Sequence, residues 1–303
     1  MSRTRVGVVV LPEHRWPEAG RIWRRVEELG VDHAWTFDHL SWRSVGDRPW
    51  FDPMTTLAAA ATTTTRMALG TLVTSPNLRH PVTTATQAMT IDHVSGGRFV
   101  LGIGAGAAGA DSTALGGPEL SPTDRAARFE EFVVLADRAL RQPTTTFRGR
   151  FYAAVQARMV PGCVQRPRVP FAIAASGPRG MRLAAAYADT WVTIGDARAP
   201  GSQPEVAAFD TVRRQLDRLV EACAETGRDA ADLGRLVNLS RLVPDPYASA
   251  ERFADLVGRC AELGFTDVVV TYPRREGVVA GERTGFEQAV SHVTGGMPTA
   301  GGR

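Results

Sequence analysis

The chain has 303 residues, of which 44% are hydrophobic and 22% are charged, and its formal net charge is +3. This composition is typical of a soluble globular protein, and no apolar run approaches the roughly 20 residues that cross a bilayer. Because the basic residues are scattered among acidic ones, the charge pattern also argues against a nucleic-acid-binding surface.

Strand-like runs rich in Val, Ile, Leu and Thr alternate with segments of helical period along the whole chain. Eight strands are predicted, at residues 5–11, 33–37, 67–73, 98–103, 170–174, 190–194, 236–243 and 266–271. Helices are predicted at residues 17–30, from 53, from 81, and at 121–140, 178–188, 204–226, 249–263 and 285–293. This alternation predicts an α/β protein with a single (β/α)8 barrel over residues 1–295 and a disordered tail over residues 296–303.

Two connections, residues 142–169 and 195–203, are longer than plain loops. In such a barrel, ligands bind at the C-terminal ends of the strands, where long connections usually form the walls of the site. We therefore expect both insertions to shape the mouth of the active site.

The end of the fourth predicted strand carries a GxGxxG motif, from Gly104 to Gly109. A dinucleotide-binding loop of this spacing follows the first strand of its fold and runs straight into a helix. Here three βα units come first, and Gly116, Gly117 and Pro118 prevent a continuous helix after the motif. The motif instead predicts a strand end where backbone N–H groups approach a flat ligand or a phosphate.

The three cysteines, Cys163, Cys223 and Cys260, lie far apart in the chain. Their number and spacing predict neither a disulfide framework nor a metal site. Near the N-terminus, Glu13 and His14 follow the first apolar run, where a signal peptide would have its cleavage site. We therefore expect a cytoplasmic protein.

Four segments, taken together, are typical of one family. They are "TFDHL" at 36–40, "LGTLVTSPNLRHPVTTA" at 69–85, "SGGRFVLGIGAG" at 95–106 and "VQRPRVPFAIAASGPRGMRLAAAYADTW" at 164–191. Over roughly residues 5–270 the chain resembles the bacterial luciferase-like monooxygenase superfamily. The resemblance implies a (β/α)8 barrel that binds FMN or the deazaflavin coenzyme F-420 at its C-terminal mouth.

Asp38 and His39 resemble the F-420-dependent branch of that superfamily, in which a histidine lies beside the reactive edge of the ring. The implied function is an F-420-dependent oxidoreductase that transfers a hydride between the deazaflavin and a small organic substrate. FMN is the alternative cofactor, because FMN-dependent branches carry a histidine in the same region. An FMN-dependent monooxygenase and a non-catalytic flavin-binding protein therefore stay open. The resemblance also suggests a homodimer.

His39 and Asp38 are the catalytic candidates. His39 follows an apolar strand at the barrel mouth, where an imidazole can hydrogen-bond a flavin-like ring or carry a proton. Asp38 either orients that imidazole or caps the turn. Sugar-phosphate dehydrogenases of this branch place a glutamate just after the glycine run, but this chain has Ala107 and Ala108. Asp111, the first carboxylate, is too far along to inherit that role, so the resemblance argues against a glucose-6-phosphate dehydrogenase.

The expected cofactor contacts lie at several strand ends. The resemblance implies a non-proline cis peptide between Leu72 and Val73, behind the ring. It also implies a phosphate site before the helix at Pro178, where free N–H groups and the positive end of the helix dipole converge. Asn77 fits a turn equally well. The predicted contacts are Leu72, Val73, Thr74, Asn77, Gly104, Ala105, Gly106, Ala175, Ser176, Gly177, Thr193 and Gly195.

Overall fold

The computed structural model describes residues 3–40, 42, 48–198, 201–277 and 279–296. Its strands are β1 (Arg5–Val9), β2 (His33–Thr36), β3 (Ala68–Thr71), β4 (Phe99–Gly104), β5 (Thr144–Arg148), β6 (Ala153–Arg158), β7 (Phe171–Ala174), β8 (Thr190–Thr193), β9 (Gly234–Asn238) and β10 (Asp267–Thr271). Its helices are α1 (Glu18–Glu28), α2 (Pro53–Thr63), α3 (Pro81–Ser95), α4 (Ala110–Thr113), α5 (Pro122–Arg141), α6 (Pro178–Tyr187), α7 (Glu205–Glu225), α8 (Leu239–Leu242), α9 (Ala250–Glu262) and α10 (Arg283–Thr294).

Eight parallel strands close into a barrel in the order β1-β10-β9-β8-β7-β4-β3-β2. The predicted (β/α)8 barrel is thereby confirmed. Within the described residues, no helix is both long and apolar enough to span a bilayer. Nearly all of the predicted disordered tail, residues 297–303, lies outside the described part of the chain.

Local signals in the sequence account for several helix starts. The Asp52 carboxylate accepts a hydrogen bond from the N–H of Thr55 at 2.8 Å, and Pro53 occupies the first turn of α2. The Ser121 hydroxyl accepts from the N–H of Asp124 at 3.1 Å at the start of α5. Such caps satisfy N–H groups that have no partner within the helix, so these starts could be predicted from the sequence.

The predicted strand at 236–243 is wrong in its second half. The strand β9 ends at Asn238, whose last pairing is with Val269, and the chain then turns into the short helix α8. The N–H of Thr271 donates to the Ser240 hydroxyl at 2.9 Å and not to a backbone carbonyl of a continuing strand. At the other barrel strands the predicted bounds differ from the observed ones by no more than two residues.

The insertion 142–169 forms the antiparallel hairpin β5–β6, which packs along α5 on the outside of the barrel. The Glu131 carboxylate accepts hydrogen bonds from the N–H groups of Arg150, Phe151 and Tyr152 and so holds the hairpin tip. The expectation that this insertion shapes the mouth is wrong, because it leaves from the end of α5, at the N-terminal side of the barrel strands.

Side chains at the N-terminal ends of the strands form a polar plug inside the barrel. The Nε2 of His33 lies 2.9 Å from Asp267, and the Trp35 indole N–H donates to His33 Nδ1 at 2.7 Å. Because an indole nitrogen only donates, the Nδ1 of His33 is an acceptor and its Nε2 carries the hydrogen. Burial opposes ionisation of Asp267, but the hydrogen bond from His33 and the charge of Arg5 outweigh it and hold the pKa of Asp267 below its usual value.

The plug requires glycine at position 7, and we expect Gly7→Ala to destabilise the protein by about 1–3 kcal/mol through overpacking. A Cβ at this position would lie 1.9 Å from His33 Nδ1 and 2.8 Å from the His33 carbonyl oxygen. Urea unfolding measures the effect. Gly117→Ala is the matched control, because no atom lies within 4 Å of its added Cβ. Equal stability of the two variants would contradict this account of the plug.

Candidate active site

A cavity of about 630 Å³ opens at the C-terminal ends of the barrel strands. Its wall is made largely of small and apolar side chains, with a few polar groups among them, as is usual for cofactor sites. Twelve of the fourteen predicted site residues line it: Asp38, His39, Leu72, Val73, Asn77, Gly104, Ala105, Gly106, Ala175, Ser176, Thr193 and Gly195.

The wall at β3 and β4 is built from a backbone bulge and glycines. The peptide between Leu72 and Val73 is cis, as the resemblance implied. The Thr74 N–H donates to the carbonyl of Gly102, and the Gly104 N–H donates to the carbonyl of Thr74, both at 2.9 Å. A Cβ on Gly104 would lie 2.6 Å from Val73 Cγ2. Gly104 therefore leaves room for the Val73 side chain, and both residues line the cavity.

Asp38 lines the cavity, and its side chain belongs to a buried charge network. Its carboxylate accepts two hydrogen bonds from the Arg79 guanidinium, both at 2.9 Å, and one from the Thr74 hydroxyl. Arg79 also pairs with Asp52, the cap of α2. Burial opposes the charge on Arg79, but hydrogen bonds to the two carboxylates outweigh it and raise the pKa of Arg79 above its usual value. Thr74 itself is fully buried and does not line the cavity.

His39 lies at the cavity edge within a group of aromatic rings. Its ring is stacked on Trp42 at a centroid distance of 6.3 Å and meets Phe37 and Trp50 edge-on. The Nδ1 of His39 lies 2.6 Å from the Asp111 carboxylate. The carboxylate that contacts the imidazole is therefore Asp111 and not Asp38, so the orienting role considered for Asp38 is wrong.

Asn77 is held between two loops at the same wall. Its Nδ2 donates to the carbonyl of Ala107 at 2.9 Å, and the guanidinium of Arg128 donates to its Oδ1. Gly106 has a φ of +75°, and a Cβ there would lie 2.7 Å from the Asn77 amide. Burial lowers the pKa of Arg128. The hydrogen bond from Asn77 thus holds the loop after β4 in place, and Asn77 also lines the cavity.

A second cavity of about 300 Å³ adjoins the first, and both are lined by Ala175 and Ser176. Gly177 lines only this second cavity, where it precedes α6 without any side-chain cap. The guanidinium groups of Arg125 and Arg179 border it, and Arg179 pairs with Glu130 at 2.9 Å. Backbone N–H groups of an uncapped helix start suit an anion such as phosphate.

Thr193 and Gly195 close the opposite side of the cavity. The Thr193 hydroxyl donates to Gln215 at 2.6 Å and accepts from the Gly195 N–H at 3.0 Å. Gly195 has a φ of +73°, which favours glycine. In the insertion 195–203, Gly195 and Ala197 line the cavity, so this insertion does contribute to the mouth as expected.

Asn238 and Arg241 line the cavity from β9 and α8, and neither was selected from the sequence. Asn238 is 1% exposed, and its Oδ1 has no hydrogen-bond partner among the described residues. Because the strand was predicted to run from 236 to 243, Asn238 was expected in its middle and not at its end, where the cavity lies. The signal that could have identified Asn238 was a polar residue at the end of a strand, paired with Val269, which faces the barrel interior.

We expect Asn238→Leu to stabilise the protein by about 1 kcal/mol, because a buried amide without a partner costs about 1–3 kcal/mol that an apolar side chain of similar size avoids. Thermal unfolding measures the change. Asn77→Leu is the matched control in the same cavity, and its loss of satisfied hydrogen bonds should lower stability. A destabilised Asn238→Leu would contradict this account of Asn238.

Comparisons with known proteins show the family to which the chain is similar. A family model described as luciferase-like monooxygenase matches residues 1–289. The 4-hydroxyprotoasukamycin monooxygenase of Streptomyces nodosus subsp. asukaensis is 32% identical over 251 residues, which cover 77% of this chain and 63% of the relative. The F420-dependent glucose-6-phosphate dehydrogenase of Beutenbergia cavernae is 32% identical over 234 residues, covering 74% and 63%. The chain thus spans less than two thirds of the length of these curated relatives.

Solved structures share the fold at lower identity. An F420-dependent secondary alcohol dehydrogenase in complex with an F420-acetone adduct superposes with a TM-score of 0.79 and 18% identity, over 98% of this chain and 99% of that one. The F420-dependent tetrahydromethanopterin reductase of Methanopyrus kandleri gives 0.75 and 18%, over 97% and 98%. Given the match of the family model over nearly the whole chain, the protein belongs to the luciferase-like monooxygenase family.

Proposed function

We propose that this protein is an F-420-dependent oxidoreductase that transfers a hydride between the deazaflavin and a small organic substrate. The observation that carries the proposal is the cavity at the barrel mouth, which is lined by His39, by Val73 and Gly104, and by Ser176, two residues before the uncapped helix α6. The relatives that are named F420-dependent dehydrogenases support the choice of cofactor.

The residues at the wall fit a planar ring. Small and apolar residues, among them Gly104 and Val73, line this wall, and a Cβ on Gly104 would collide with the Val73 side chain. Ser176 and Gly177 would hold the phosphate with backbone N–H groups at the start of α6. Bound F-420 supplies a ring carbon that accepts or donates a hydride. His39 would lie beside the ring, because it lines the same cavity.

The second cavity favours F-420 over FMN. F-420 carries an acidic tail beyond its phosphate, whereas FMN ends at the phosphate. The second cavity continues past Ser176 and Gly177 and is bordered by Arg125 and Arg179, which suit such a tail. An FMN molecule would leave this space unused.

The cavity wall gives some guidance on the substrate. Apart from His39, Arg241 is the one basic residue among the described residues that line the main cavity. The two negative charges of a sugar phosphate would therefore have a single guanidinium, that of Arg241, to pair with in this cavity. Together with the alanines at 107 and 108, this favours a less charged alcohol, ketone or imine over glucose 6-phosphate.

Titration of the purified protein with F-420 and with FMN, followed by fluorescence, tests the proposal. We expect F-420 to bind at least about tenfold more tightly, a difference of about 1.4 kcal/mol. Turnover is then measured as the change in F-420 absorbance with time in the presence of a panel of alcohols, ketones and imines. Binding of FMN alone would overturn the proposal, and binding of neither cofactor would favour a non-catalytic role.

An FMN-dependent monooxygenase is the second candidate, because one relative with 32% identity is named a monooxygenase. Oxygen uptake by the FMN-loaded protein with a reductant would support it. This candidate differs from the first in requiring tight binding of FMN, which the same titration measures.

We also propose that the protein acts in the cytoplasm on a small molecule, without a nucleic-acid partner, and forms a homodimer. The free, buried states of Cys163, Cys223 and Cys260 are compatible with a reducing compartment. Several surface arginines pair with carboxylates, as Arg179 does with Glu130. Sedimentation at micromolar concentration measures the oligomeric state.

A further inference from the structure

The pair of His39 and Asp111 joins two loops across the cavity mouth, 72 residues apart in the chain. One Asp111 oxygen lies 2.6 Å from His39 Nδ1, and the other accepts the Leu40 N–H at 3.1 Å. The two side chains are 35% and 14% exposed. Both oxygens of the carboxylate are thus engaged by adjacent residues of the loop after β2.

The loop after β4 is folded so that Asp111 can reach His39. The Glu119 carboxylate accepts hydrogen bonds from the Gly109 N–H at 3.1 Å and the Ser112 hydroxyl at 3.0 Å. Gly109 has a φ of +114°, which turns the chain sharply before α4. These contacts place Asp111 over the strand end of β2, although residues 107 and 108 are alanines.

The contact determines the tautomer of the imidazole. An ionised carboxylate is only an acceptor, so the hydrogen between the two groups belongs to His39 Nδ1. In a neutral imidazole, Nε2 then keeps its lone pair. Nε2 has no hydrogen-bond partner among the described residues, and His39 lines the cavity. A ligand with an O–H or N–H group that enters the cavity can therefore donate to this nitrogen in place of water.

We infer that Asp111 is the positioning residue of this site: it holds His39 in the Nδ1–H tautomer, so that Nε2 is the proton acceptor for the substrate. The inference rests on the proposed hydride transfer. In oxidation of an alcohol, Nε2 of His39 would accept the O–H proton as the C–O bond becomes C=O, and bound F-420 would supply the acceptor for the C–H hydride. Reduction of a ketone returns the hydride and the proton by the reverse path.

Nitrogen-15 NMR of histidine-labelled protein tests the tautomer without any substrate. We expect the Nδ1–H form for His39 in the wild type and mainly the Nε2–H form in Asp111→Ala, because a free imidazole favours Nε2–H. His33 is the internal reference, since Trp35 donates to its Nδ1 and Asp267 lies at its Nε2 in both proteins. An Nε2–H wild type, or an unchanged tautomer in Asp111→Ala, would overturn the inference.

Kinetics separate positioning from a purely structural role. Asp111→Ala should lower kcat about 10- to 100-fold, the range typical of groups that orient a histidine, with little change in F-420 affinity or urea midpoint. Asp111→Glu, which retains the carboxylate, should recover part of the rate and the Nδ1–H form. If the wild-type protein did not bind F-420, the proposed function would be contradicted, but the tautomer of His39 measured by NMR would still be valid. An unchanged kcat in Asp111→Ala would contradict the positioning role.

Discussion

Replacement of His39 by alanine is expected to lower kcat by about 10² to 10⁴, the contribution usual for a positioned general acid or base. The imidazole is the group in the cavity wall that has a free nitrogen and a carboxylate behind it. Without it, the substrate proton has no acceptor at the place where the ring would lie. Steady-state rates of F-420 reduction with the best substrate of the panel measure this effect.

The affinity for F-420 is the second readout of this variant. Loss of one hydrogen bond to the ring should raise the Kd by no more than about tenfold, since such a bond contributes about 1 kcal/mol. His292→Ala is the matched control, because His292 is exposed in the last turn of α10. If His39→Ala turned over like His292→Ala, the assigned role of the imidazole would be wrong.

Replacement of Arg79 by leucine is expected to lower the free energy of unfolding by about 3–5 kcal/mol, because it leaves a buried carboxylate without its cation. The Asp38 side chain is 1% exposed, and both of its oxygens receive hydrogen bonds from the Arg79 guanidinium. Chemical unfolding followed by circular dichroism measures the change.

An exposed ion pair provides the control for this prediction. Arg150 pairs with Asp124 at 2.7 Å, and the two side chains are 66% and 31% exposed. Arg150→Leu should therefore cost no more than about 1 kcal/mol. The double variant Arg79→Leu with Asp38→Leu should recover part of the loss, because it leaves no unpaired buried charge. If Arg79→Leu and Arg150→Leu lowered the free energy of unfolding equally, burial would not be what makes the Arg79–Asp38 pair important for stability.

The contacts of Asp38 also explain why it does not orient His39, which was one of the two roles left open for it. The Asp38 carboxylate receives its three hydrogen bonds from Arg79 and Thr74, and the imidazole of His39 contacts Asp111 instead. Its partner Arg79 lies 41 residues away, beyond any local pattern. The sequence placed Asp38 at the right strand end but could not show which of two neighbouring basic groups it binds.

Local signals were sufficient for the barrel and for most of the cavity wall. Alternation of strand and helix patterns, proline and serine at helix starts, and glycines at strand ends act within a few residues, so they can be interpreted one segment at a time. Parallel strand ends then meet at one side of a barrel, which brings Gly104, Ser176 and Thr193 to the same cavity.

Tertiary structure alone decided which polar groups meet across that cavity. Asp111 contacts His39 because Glu119 and Gly109 fold the loop after β4 back toward β2, and no local preference specifies that path. The insertion 142–169 folds as a hairpin against α5, where Glu131 accepts hydrogen bonds from the backbone of its tip. Strand ends follow from short-range patterns, whereas the pairing of their side chains depends on hydrogen bonds between loops far apart in the chain.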